Sequence, residues 1–268
     1  MAEPTYRQRR LGEALQLLRE RAGMSQKEAS DRLDYNVPKL SRIENGQVPD
    51  IHALRAMLDT YGVIGEDEAP YIEMWKLARE KGWWRAHGLN ATGYVGLEHD
   101  ASRVREFALA VIPGQLQVVP YMRDVFDGAT VKRSRKWVDN EIAVRQRRQR
   151  KLAGPFTYHA IIHQAAFRNI DREQILHLAE ASRLPNVTIQ VLLESARLHD
   201  GLLGSFALLD LPFTGDPQVL YVEHVAGSIH IEDPERVAAA NLVFKHLSKL
   251  ALTPDESAAW IERLAAER

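Results

Sequence analysis

The chain has 268 residues, more than a single core usually needs and enough for one small domain and one larger one. With 45% hydrophobic residues, 26% charged residues and a net charge of -1, it reads as an ordinary globular chain, with neither large-scale disorder nor a basic coat for nucleic acid. Zero cysteines exclude disulfides, thiolate metal sites and a cysteine nucleophile.

The start, MAEPTYRQRR, lacks the apolar core of a signal peptide, and no apolar run approaches the roughly 20 residues that span a bilayer. A cytoplasmic protein with no membrane partner is therefore expected. From Leu11 to Arg21, Leu11, Ala14, Leu15 and Leu18 recur at helical spacing, and Ala22-Gly23 ends the pattern. Ser25 and Glu28 form a capping box, which predicts a second helix from Gln26 to Leu33. Asp34-Tyr35 makes a tight turn. Asn36 then caps a third helix, with Pro38 in its first turn, Leu40 and Ile43 facing inward and Gly46 closing it. A fourth helix starts after Pro49-Asp50 and buries Ile51, Leu54, Met57 and Leu58.

GEDEAP, residues 65–70, reads as a hinge, so the expected domains are 1–65 and 66–268, with an amphipathic helix through Tyr71, Met74, Trp75 and Ala78 following it. Beyond Gly82, runs rich in β-formers at 104–112, 156–163, 187–193, 205–211 and 219–223 predict strands. Helical patterns lie at 115–126, 134–152, 172–183, 234–252 and 254–266. The expected fold class is α+β: an all-α bundle followed by a larger mixed α/β domain.

Two short helices joined by a tight turn, the second with polar and basic residues outward, describe a helix-turn-helix whose second helix enters the major groove of DNA. Between Arg7 and Arg42 there are nine Lys and Arg against five acids. Arg42 is placed to chelate guanine O6 and N7, Lys39 and Ser41 to reach base edges or phosphates, and Gln26 to meet a phosphate. Lys27, Asn36, Val37, Pro38, Asn45 and Gln47 complete the candidate DNA-binding set. A solvated helical surface is the plainer alternative, and cap, turn, spacing and charge together weigh against it.

The stretch GMSQKEASDRLDYNVPKLSRIENGQVPD, with Ser25-Gln26 and the run Ser41, Glu44, Asn45, Gly46, resembles the XRE-type, or Cro/repressor-like, helix-turn-helix. The resemblance implies base-facing positions at Val37, Pro38 and Arg42, phosphate-facing ones at Gln26 and Asn45, and an internal ion pair of Arg19 with Glu44. Asp34 stands where that family favours a turn glycine. Further segments, among them GWW from Gly82, LEHDASRVREF from Leu97, IPGQLQ from Ile112, RQRRQRKL from Arg145, LPNVTIQVLL from Leu184 and LTPDESAAWI from Leu252, resemble the WhiJ-like, antitoxin-like regulators of actinobacteria. That resemblance implies a small-molecule effector or a small partner protein. The chain is thus expected to be a transcriptional regulator of double-stranded DNA, and since one such helix meets few base pairs, useful affinity predicts a homodimer. The alternative is an antitoxin-like interaction protein that captures a small partner and autoregulates through its DNA-binding head.

Residues 131–151 hold nine Lys and Arg against two acids. They serve an internal network with Glu98 or Glu223, an anion or ligand, or a second DNA contact. Arg148 lies on one helical face with Arg145 and Gln149. Trp84 and Tyr121 suit either a planar ligand or a core, and Gln115 and Gln117 either present amides after the Ile112-Pro113-Gly114 turn or cap the next helix. With His163, these make the candidate ligand set: Trp84, Glu98, Gln115, Gln117, Tyr121, Arg148, His163 and Glu223.

His159 and His163 fall in a strand-like run about 13 Å apart, too far to share an ion. No H-E-x-x-H, phosphate-cradling or G-x-S-x-G motif occurs. No enzyme activity, metal or cofactor is expected.

Overall fold

The computed structural model describes residues 4–88, 93–212 and 218–268. The chain divides into two compact units, Met1–Leu97 and Glu98–Arg268. The fold is α+β, an all-α bundle and then a mixed sheet with helices.

The first unit contains α1 (Tyr6–Arg21), α2 (Gln26–Arg32), α3 (Val37–Glu44), α4 (Ile51–Thr60) and α5 (Ala69–Arg79). Each start has a local chemical cause. Ser25 and Glu28 reciprocally satisfy the free amides at the head of α2, Asn36 Oδ1 accepts from Lys39 N at 2.9 Å, and Asp50 accepts from the amides of His52 and Ala53. α1 begins five residues before the predicted Leu11 because Thr5 and Gln8 form a second capping box. Leu11, Leu15, Leu40, Ile43, Leu54, Met57 and Leu58 fill the core, each side chain contributing about 1.5–3 kcal/mol by burial.

Gly12 allows α1 to pass close to the end of α3, since a Cβ there would sit 2.4 Å from the Glu44 carbonyl oxygen. The stretch read as a hinge behaves otherwise. Gly65–Glu68 is a helical turn leading into α5, whose Trp75 and Ala78 are buried in the same core, and Trp75 Nε1 donates to the Pro49 carbonyl at 2.8 Å. The compact N-terminal unit therefore continues well past residue 65.

Next come α6 (Tyr94–Asp100), which the periodicity does not mark, and then β1 (Arg103–Ala108), α7 (Val119–Asp127), α8 (Arg135–Gln149), β2 (Thr157–His163), α9 (Arg172–Ala181) and β3 (Val187–Leu192). After them run β4 (Phe206–Asp210), β5 (Val219–His224), β6 (Gly227–Ile231), α10 (Pro234–Leu250) and α11 (Pro254–Glu267). The sheet order is β3-β2-β1-β4-β5-β6, with β1, β2 and β3 parallel and the remaining pairs antiparallel. Helical crossovers permit the parallel half, and short connections the antiparallel half.

Alternation gives the sheet two different faces. Phe107, Ile161, Leu192, Leu208 and Leu220 pack against Val237, Phe244 and Leu247 of α10. The opposite face carries a cross-strand row in which Glu106 stands between Ala160 and Ala207, and Ala207 is followed by Tyr221 and then His230.

Candidate nucleic-acid interface

α2 and α3 are joined by a turn in which Asp34 adopts φ 54°, the one non-glycine residue with positive φ among the described residues, and Tyr35 N donates back to the Ser30 carbonyl at 2.9 Å. Left-handed backbone is costly for residues with a Cβ, less so for aspartate. Asp34→Gly should therefore raise the stability of the first unit by about 0.5–1 kcal/mol. A thermal or urea denaturation midpoint that is unchanged or lower in the variant would count against this.

On α3, Leu40 and Ile43 are buried, while Val37, Pro38 and Arg42 are exposed, with Asn36 and Asn45 exposed at its two ends and Gln47 just beyond. Lys27 on α2 is exposed as well. Lys39 and Ser41 are half-buried, and Lys39 Nζ rests 3.3 Å from the centre of the Tyr35 ring. Asn45 Nδ2 donates to the Ser41 carbonyl at 2.7 Å. The outward surface thus joins a guanidinium, amides and two apolar side chains.

Beneath it, the expected ion pair is present. Arg19 Nε and Nη2 donate to the two Glu44 oxygens at 2.6 and 3.1 Å, and Arg19 Nη1 donates to the Met24 carbonyl at 2.8 Å. The hydrogen bond to Glu44 holds the Arg19 pKa above its ordinary value despite burial. Gln26 Nε2 donates to Glu44 Oε2 at 2.6 Å, so the amide nitrogen expected to meet a phosphate is turned inward.

In the second unit, the structure places Glu98, Gln115, Gln117, Tyr121 and Arg148 near α8 and holds four of them, all but Gln115, in hydrogen bonds within the protein. Glu98 is 1% exposed and accepts from Arg148 Nε and Nη2, both at 2.7 Å. Buried Gln117 donates to the Ile112 carbonyl and accepts from Arg145 Nη1, both at 2.6 Å. Gln149 Nε2 donates to the Gly114 and Gln117 carbonyls, and the Tyr121 hydroxyl accepts from Ile112 N at 3.2 Å. Gln115 is 1% exposed, and neither of its side-chain amide atoms has a hydrogen-bond partner among the described residues.

Part of the basic segment therefore serves an internal network. Its outer part differs: Arg133, Arg135 and Val138, with Arg123 and Asp127, line a surface cavity of about 430 Å³.

Residues 10–71 match the model of a helix-turn-helix domain, and residues 92–263, well over half of the chain, match a domain of unknown function, DUF5753. The chain belongs to the DUF5753 family. No curated protein and no solved structure matches it.

Three of the ligand candidates stand apart in this DUF5753 protein. Trp84 lies in the first unit and is buried, its ring edge-on to Trp83 and close against Gly82, so it packs rather than faces a hollow. His163 ends β2 with the parity of Ile161, on the face opposite Glu106. Its Nδ1 accepts from Ala165 N at 3.2 Å, and burial lowers its pKa. Glu223 is exposed on β5, although its charge reaches Arg145 and Glu106.

The sequence reading missed Glu106, Tyr158 and Tyr221 of the DUF5753 domain. The Tyr158 hydroxyl donates to Glu106 Oε2 at 2.6 Å. Burial pushes the Glu106 carboxyl up to about 7, with Glu98 and Glu223 adding to the rise and Tyr158 and Arg148 opposing it. A partial signal existed for Glu106 alone: within the predicted strand it alternates with apolar Val104 and Ala108, which places a carboxylate on an apolar face. Among the described residues, no group of three or more potential ligands could hold a metal, and no helix is long and apolar enough to cross a membrane.

Proposed function

We propose that this protein is a cytoplasmic, sequence-specific transcriptional regulator that places α3 in the major groove, and that the second unit, Glu98–Arg268, senses a small ligand or partner protein, dimerises, or does both. The observation that carries the reading is the exposed face of Val37, Pro38 and Arg42 on a helix locked from behind by Leu40, Ile43 and the Arg19–Glu44 pair. Arg42 reads guanine, Val37 and Pro38 meet thymine methyls, and Lys27, Asn36, Lys39, Ser41, Asn45 and Gln47 divide between base edges and phosphates, with Gln26 steadying the helix through Glu44. One such helix covers few base pairs. A homodimer on half-sites about 34 Å apart, or a multiple of that, is the arrangement useful affinity requires.

The test is selection of bound fragments from sheared genomic DNA at near-physiological salt, with Arg42→Ala as the control. An enriched inverted repeat is expected, and the variant should bind it about 10- to 100-fold more weakly, consistent with the roughly 1–3 kcal/mol of one bidentate base contact. Its affinity for random DNA should fall much less. Equal losses on both would reduce Arg42 to a phosphate contact. The segments that resemble antitoxin-like regulators favour the second reading, partner capture with autoregulation, for which a stoichiometric small protein should co-purify with the full chain.

A further inference from the structure

The start of α8 concentrates positive charge at the surface of the second unit. From Gly128 to Val138 no acid occurs, while Lys132, Arg133, Arg135 and Lys136 place four cations within five residues, all exposed. Among the described residues none of the four forms an ion pair, whereas Arg168 and Arg183, likewise exposed, pair with Glu194 and Glu262. The run is held in place. Ser134 Oγ accepts from Trp137 N at 3.2 Å, which fixes where Arg133 and Arg135 leave the chain on either side of the cap. The Arg133 guanidinium lies over the Trp137 ring, 5.2 Å from its centre, and Trp137 meets Phe126 of α7 edge-on at 5.5 Å. Arg133 and Arg135 then line the cavity of about 430 Å³ together with Arg123, Asp127 and Val138. Arg123 is neutralised by Asp139 at 2.9 Å, and Lys132 Nζ donates to the Asp127 backbone carbonyl, so the patch keeps four unpaired cations against the Asp127 carboxylate.

We propose that this patch is a second DNA contact, through which the Glu98–Arg268 unit holds the phosphodiester backbone without reading bases. The proposal rests on the reading of the chain as a DNA-binding protein and adds a surface to it. Guanidinium groups meet phosphate oxygens through paired N–H donors, and exposed cations bind duplex DNA by displacing its condensed counterions. A small dianion enclosed in the cavity would lie against Asp127. A duplex instead presents a row of singly charged phosphates that can meet Lys132, Arg133, Arg135 and Lys136 and leave Asp127 to one side. With a net charge of -1, the chain has no surplus to spread over its whole surface, so such a contact is confined to this run.

The test is the affinity of the full chain for a random-sequence duplex across a salt series, with inorganic pyrophosphate as a separate ligand. The double variant Arg133→Gln with Arg135→Gln should flatten the slope of log affinity against log salt by about 1–2 and weaken binding at 0.15 M salt by about tenfold. Lys245→Gln with Lys249→Gln removes the same charge from exposed positions of α10 and should leave the slope unchanged. An unchanged slope in the arginine variant, or equal flattening in both variants, overturns the contact. Pyrophosphate binding that the arginine variant loses, with its DNA slope unchanged, assigns the cavity to a small phosphorylated ligand and likewise overturns it. Operator preference lost in Arg42→Ala beside an unchanged slope in the arginine variant keeps the α3 reading and sinks this patch. A flattened slope without any enriched operator keeps the patch and sinks the sequence-specific reading of α3.

Discussion

Glu44→Ala is expected to destabilise the N-terminal unit by about 3–5 kcal/mol, the usual cost of removing one partner of a buried ion pair. Glu44 is 4% exposed and takes three donors: Arg19 Nε at 2.6 Å, Arg19 Nη2 at 3.1 Å and Gln26 Nε2 at 2.6 Å. Alanine leaves the Arg19 guanidinium, 6% exposed, with the Met24 carbonyl at 2.8 Å and the half-exposed Glu20 carboxylate at 3.6 Å as its remaining partners among the described residues. It also frees Gln26 and opens a void at the α1–α3 approach.

Most of that cost is the stranded charge rather than the net worth of the pair, so Arg19→Met combined with Glu44→Leu should recover much of it. Urea denaturation of the full chain, with hydrogen exchange of the α1 and α3 amides, reads both. A loss below about 1 kcal/mol in Glu44→Ala would mean that solvent reaches Arg19 far more freely than its burial implies. DNA binding should fall with stability, because the same pair holds α3 at the angle that presents Arg42.

The helix-turn-helix was legible because its causes are local. The Ser25–Glu28 box, the Asn36 and Asp50 caps, Pro38 in a first turn and the spacing of Leu40 with Ile43 all lie within a few residues of what they specify. The first turns of α1 were not legible by periodicity, since Tyr6 to Arg10 contains three arginines and a glutamine, and only Thr5 with Gln8 marks the start. β6 escaped notice as a five-residue strand entered by a Val225-Ala226 turn without the usual glycine or asparagine signal. The acid-rich stretch after Gly65 reads as a linker by composition, whereas Trp75 and Ala78 ten residues later draw it into the first core. In the larger domain, the Arg148 face was legible as one side of α8, and its partner Glu98 was one of two carboxylates named. What joins Glu106, Tyr158, Ala207 and Tyr221 is strand register across four segments, which depends on tertiary pairing and has no local trace.

Glu106→Gln is expected to stabilise the second unit by up to about 3 kcal/mol at pH 8, an unusual sign for a buried polar change. The carboxyl titrates at about 7 in the native protein against an ordinary value of 4.5. Between those values the unfolded chain has already released a proton that the native chain still holds, so rising pH favours unfolding through the window. Above about 7 the native carboxyl is ionised in its enclosed position and the full penalty is present; below about 4.5 both states are protonated and it disappears.

Glutamine removes the ionisation while its Oε1 can still accept from the Tyr158 hydroxyl, so the variant should match the wild type near pH 4.5 and exceed it progressively up to pH 8. Denaturation midpoints at pH 5, 6, 7 and 8 give the comparison directly. Parallel curves for the two proteins would show that Glu106 ionises as freely as an exposed carboxylate. A variant less stable at every pH would show that the ionised carboxylate is held by partners stronger than Tyr158.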